Sequence, residues 1–154
     1  MIKSRSQSMD KAKLASIIDS LLAETKTAVL STVTQEGVPQ IRWMTPTLLP
    51  SRPGSLFCLT SSNSLKALSI RNSNWISWMV QNRALTTIVN LQCRAFVIND
   101  PTIQQEVIDE IGRYIRVLWH LNTDPADLCV IESVIVHATY FLPMEGKKEF
   151  IDFE

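Results

Sequence analysis

The chain is poor in several things at once: it has only 4 glycines and 2 histidines among 154 residues, and no excess of either charge. Four glycines cannot supply a dinucleotide-binding fingerprint and also serve the turns, and the Gly-any-Ser-any-Gly pattern of a nucleophile elbow does not occur. His120 and His137 lie outside metal-ligand spacing of each other and of any cysteine, so no metal site is expected. With 15 basic and 15 acidic residues, no bulk charge draws the chain to nucleic acid or to an anionic membrane. Any phosphate must therefore be held by a local pocket. No apolar run reaches the length of about 18 residues needed to cross a bilayer, and the N-terminal MIKSRSQSMDK has no signal-peptide core. Cys58, Cys93 and Cys129 are odd in number and set in apolar runs, which points to reduced buried thiols and to the cytoplasm rather than to a disulfide framework. Internal repeats and low-complexity segments are absent as well.

What is present is a composition of 45% hydrophobic and 19% charged residues, that of a folded globular chain. One domain over residues 1–154 is expected, with a mobile N-terminus over 1–8 and a charged C-terminal tail over 143–154, in which Phe150 and Phe153 pack somewhere. Asp10 to Glu24 places Leu14, Ile17, Ile18, Leu21 and Leu22 on one helical face, with Ser8 as a candidate cap. The period then shortens. Ala28 to Val33, a turn through Thr34-Gln35-Glu36-Gly37, and Val38 to Thr45 make a hairpin, whose second arm sets Arg42 and Met44 on one face and Ile41 and Trp43 on the other. A proline-rich connection from Pro46 to Gly54 leads into a strand from Leu56 to Thr60 and a short helix from Asn63 to Arg71.

Trp75 to Val80 and Thr86 to Ile98 read as strands, the second long enough that it should bend into a barrel or toward a partner subunit. Asp100 and Pro101 start a helix running to about Leu121, and Leu128 to Tyr140 is a final strand. Strands joined mostly by short turns predict a mainly β fold, an antiparallel barrel with flanking helices, and not a parallel α/β sheet.

One stretch carries chemistry. In LFCLTSSNSLKALSIRN, Leu56 to Asn72, a strand ends in Thr60, Ser61, Ser62 and Ser64 and passes into a helix with Lys66 in its first turn. Hydroxyls and free amides at a helix start can hold a phosphate, and a lysine there is better accommodated beside an anion; the plain alternative is that Ser and Asn simply cap the helix. If the Arg42 strand and the Leu56 strand are neighbours, Arg42 joins this cluster. No catalytic group is identifiable. Among the four tryptophans, Trp75 and Trp78 lie on opposite faces of one strand, so at least one belongs to the core.

The strand with Arg42, the segments LFCLTSSNSLKAL, NSNWISWMV and RAFVIND, and the proline-started helix with its tryptophan together resemble the pyridoxamine 5′-phosphate oxidase-like split-barrel superfamily, within it the general stress protein branch. The resemblance spans Ala12 to Tyr140. It implies a split barrel of the flavin mononucleotide (FMN)-binding type, a homodimer with the cofactor at the subunit interface, and an oxidoreductase acting on a small substrate. It further implies that Arg42, Trp43, Met44, Thr60, Ser61, Ser64, Lys66 and Trp119 contact FMN. Leu65 stands where many relatives carry an arginine, and Cys93 where a glycine is common. The alternatives are a stress protein that binds flavin or another planar ligand without turnover, and a structural dimer that has lost its cofactor.

Overall fold

The computed structural model describes residues 9–64, 67, 70–71, 73–119 and 127–154, with residues 116–119 as backbone only. Eight strands form one sheet: β1 (Ala28–Val33), β2 (Pro39–Met44), β3 (Thr47–Leu48), β4 (Ser55–Ser61), β5 (Trp75–Gln81), β6 (Ile88–Ile98), β7 (Leu128–Leu142) and β8 (Lys147–Asp152). Helix α1 (Lys11–Thr25) precedes them and α2 (Pro101–Trp119) sits between β6 and β7. The order along the sheet is β2-β1-β5-β6-β7-β4-β3, with β8 on the second half of β7, and every pairing is antiparallel. The sheet curls around a core that takes side chains from its inner face and from α1, in agreement with the mainly β, antiparallel barrel expected from the strand spacing.

The local sequence accounts for most of this. In α1, Leu14, Ile18, Leu21 and Leu22 are the buried positions. Its cap is Asp10 and not Ser8, because the Asp10 carboxylate accepts the amide of Lys13 at 2.7 Å, the distance of a strong capping bond. The hairpin β1–β2 turns through Gly37, whose φ of +81° is the left-handed conformation that a residue without Cβ adopts most readily. Thr34 ties the turn by accepting the amides of Gly37 and Val38 on its carbonyl and hydroxyl. On β6, Val89, Leu91, Cys93 and Ala95 face the core in strict alternation. The register of β6 with β7 shifts between Gln92 and Cys93, where β7 carries one extra residue, Val136.

β4 is buried on both faces, which explains why it reads as a continuous apolar run and not an alternating one. Leu56 and Cys58 point into the barrel, while Phe57 and Leu59 pack with Val130 against Ile103, Val107, Ile111 and Ile115 of α2. These four residues form one apolar stripe along α2, and Asp100 caps the helix by accepting the amide of Thr102 at 2.9 Å. The side chains of Leu118 and Trp119 lie outside the described residues, as do His120 and Leu121.

Two elements differ from the expectation. The proline-rich connection holds a short strand, β3, paired with β4. The C-terminal segment is not a tail: Pro143–Glu145 form one helical turn, Gly146 reverses the chain at φ +61°, and β8 pairs with β7. The sequence KKEFID has little intrinsic strand preference, and its charges suit an edge strand that must not recruit another sheet. Ile151 is its buried residue, whereas Phe150 is 80% exposed and does not pack; Phe153 does, against the barrel core.

Candidate functional site

Arg42 is a cation that the fold places on the inner side. It shares the inner face of β2 with buried Met44, while Trp43 and Ile41 project outward at 50% and 74% exposure. The half-buried Arg42 guanidinium donates to the carbonyl of Leu30 at 3.3 Å and to the hydroxyl of Thr32 at 2.7 Å. Burial pulls its pKa below the usual arginine value, an effect that nearby Cys58 on β4 partly opposes. Among the described residues no carboxylate comes within ion-pair distance of Arg42.

β2 and β4 are not sheet neighbours. Thr45 and Pro46 carry the chain out of β2 into β3, and it is β3 that pairs with β4, so the direct juxtaposition considered from sequence does not form. Arg42 and β4 share a side of the sheet instead: Cys58 faces the same interior, and Thr60, two residues on, points to the same side.

At that end of β4 the hydroxyls interlock. Thr60, only 4% exposed, donates to the Ser64 hydroxyl at 3.2 Å, and the Ser64 hydroxyl also accepts the amide of Ala67 at 3.1 Å. Ser64 therefore makes the bond of a capping residue to the amide three positions on. An oxygen that accepts two bonds must direct its own proton elsewhere, so Ser64 keeps a donor for a third group. Ser61 is arranged likewise: its hydroxyl accepts the amide of Asn63 at 3.4 Å. Thr60 is buried and holds the Ser64 hydroxyl in place. Lys66, with its neighbour Leu65, lies outside the described residues.

Sequence reasoning missed two arginines. Arg71 donates to the Ser62 carbonyl at 3.2 Å and so fixes a second cation beside the hydroxyl turn. It opens onto a pocket of about 490 Å³ bounded by Ile70, Ser73, Asn74 and Ala95 to Val97. Arg94, on the outer face of β6, donates to Asn74 at 2.9 Å and stacks on Trp75 with its guanidinium carbon 3.7 Å from the ring centroid. The outward position of Arg94 was readable from alternation, but its partners lie on β5 and the turn before it. Of the two β5 tryptophans, Trp78 is the core residue, its indole N–H donating to Ser133 at 2.9 Å.

Solved structures share this architecture. General stress protein 26 from Bacillus anthracis aligns with a TM-score of 0.69 over 91% of this chain and 98% of its own, at 17% identity. The fold is a split β-barrel. A pyridoxamine 5′-phosphate oxidase-type protein from Listeria innocua aligns with a TM-score of 0.64 at 18% identity, covering 83% of this chain and 98% of that one. A heme binding protein from Mycobacterium smegmatis aligns with a TM-score of 0.69 at 15% identity, over 90% of this chain and 57% of its own. At these identities the likeness concerns the fold. No family model matches the chain, and no curated protein does. Among the described residues, no helix is long and apolar enough to cross a membrane.

Proposed function

We propose that this split barrel binds FMN at a subunit interface and serves as a cytoplasmic oxidoreductase for a small substrate. The observation that carries the reading is Arg42: a half-buried cation without a carboxylate partner among the described residues, facing the same interior as the hydroxyl turn. An uncompensated charge in such a place is costly, and a bound anion relieves that cost. The donor set fits a phosphate, since Ser61 and Ser64 have protons to give and Arg71 stands beside them. Lys66 is a further candidate by its place in the sequence. The flavin ring would supply the electron chemistry; the chain's part is to anchor the phosphate, orient the ring and exclude water.

Trp43 and Arg42 lie on opposite faces of β2, so both can serve one ligand only if a second copy of the chain closes the site from outside. This supports the homodimer, with Met44 on the inner side and Trp43 presented to the partner. Cys58, Cys93 and Cys129 are buried and not disulfide-bonded, as suits a reducing compartment. Titration of the purified protein with FMN, followed by flavin fluorescence, tests the reading: saturable quenching is expected, and its absence would sink it.

A second reading keeps the fold and changes the ligand. The resemblance in fold to a heme binding protein, together with the arginine missing at Leu65, favours a planar-ligand carrier without turnover. Hemin that binds more tightly than FMN, or bound FMN that no nicotinamide nucleotide reduces, would select it.

A further inference from the structure

A second cavity lies away from the arginine and serine cluster, where α1 crosses the turn before β4. It measures about 530 Å³ and is walled by Leu14, Ala15 and Ile18 of α1, Leu48 of β3, Ile135 of β7 and Phe153. Its floor is backbone at Pro53, Gly54 and Ser55; an added Cβ on Gly54 would meet nothing within 4 Å, so the space there is open. Volumes of this order hold small-molecule ligands, and walls of this kind suit an alkyl or aryl group. Water there would find few partners.

One charge stands at the mouth. Lys11 has its ammonium 3.5 Å from the Phe153 carbonyl and 5.1 Å from the centroid of that ring. Of the acidic residues on adjoining segments, Asp10 caps α1, Asp152 pairs with His137, and Glu149 accepts the amide of Met9. Among the described residues none forms an ion pair with Lys11. Apolar walls beneath a single available cation match an amphiphilic monoanion, the alkyl part inside and the carboxylate on Lys11.

We propose that this cavity is a binding site for a medium-chain acyl carboxylate. Decanoate is the probe, added to the full-length protein and followed by amide correlation spectra. Saturable shifts are expected at Ala12, Ala15, Gly54 and Ile135, and decan-1-ol should shift the same amides. Lys11→Ala should weaken decanoate by about threefold, the range of an exposed ion pair, and leave decan-1-ol unchanged. Ala15→Trp should abolish both by filling the cavity, and Ala12→Phe, on a more exposed position, serves if that variant does not fold. Absence of saturable shifts at these amides, or binding that survives the filling substitution, would overturn the site. Equal affinity of decanoate for Lys11→Ala and the unmodified protein would overturn its anion selectivity.

Discussion

Arg42 and Thr32 are joined by a 2.7 Å hydrogen bond from the guanidinium Nη2 to the hydroxyl oxygen, on the inner face of the first hairpin. Thr32 is 1% exposed, so this bond aims the arginine inside the barrel rather than at solvent. Substitution to leucine should remove an anion's partner and leave the neutral core nearly intact. For Arg42→Leu we expect FMN affinity to fall by about tenfold or more, the value of a charge-assisted hydrogen bond, in a flavin quenching titration. Thermal stability of the ligand-free protein should change little, because a desolvated charge goes with the lost bonds.

Ser64 has a structural duty besides any ligand. Replacing it with alanine removes the acceptor of the Ala67 amide and the partner of the buried Thr60 hydroxyl. A loss of about 1 to 2 kcal/mol is expected in urea denaturation, the scale of a lost cap. Asp at this position should restore the cap and still repel a phosphate. Stability that recovers while FMN binding does not would separate the two roles.

Trp78 tests the core. Its indole reaches Ser133, which is fully buried, at 2.9 Å. Trp78→Phe leaves that hydroxyl without its donor and opens space beside it, so we expect about 2 to 4 kcal/mol of destabilisation by denaturant unfolding. In a double-mutant cycle, adding Ser133→Ala should cost less than it does alone.

Cys93 gives a pH dependence. Burial raises its thiol pKa from 9.0 to about 12, so the folded chain keeps a proton that the unfolded chain releases in that range. Stability is fully present below pH 9 and is lost as pH rises toward 12. Tyr140, raised by burial and by Glu145 and Glu149, acts in the same direction. Cys93→Ala should flatten this alkaline loss in chemical denaturation. At pH 8 the native thiol should resist iodoacetamide while the unfolded chain reacts.

Much of the architecture could be read from the chain because local periodicity and burial coincide in it. The β6 alternation from Val89 to Ala95 and the α2 stripe from Ile103 to Ile115 each expose one unambiguous face. β8 escaped because Lys147 to Asp152 owe their strand form to pairing with β7, a partner that local composition does not announce. The same holds for the site. Alternation gave Arg42 its correct face, yet the strand beside the hydroxyl end of β4 is β7 and not β2, a matter of closure across the sheet. Arg71 looked like an ordinary helix end, since its carbonyl partner on Ser62 depends on how that turn folds back.

The first half of β7 pairs with β4, 67 to 79 residues earlier in the chain (Ser61 with Leu128 to Ser55 with Val134), whereas its second half pairs with β8 a few residues away. Pairing β4 with β7 closes a loop that holds β5, β6 and α2, and the entropy of that closure makes this a slow step. The hydroxyl turn hangs from the end of β4. In pulsed hydrogen exchange the amides of β4 should gain protection after those of β8, and the candidate phosphate seat should be among the last parts of the molecule to exist.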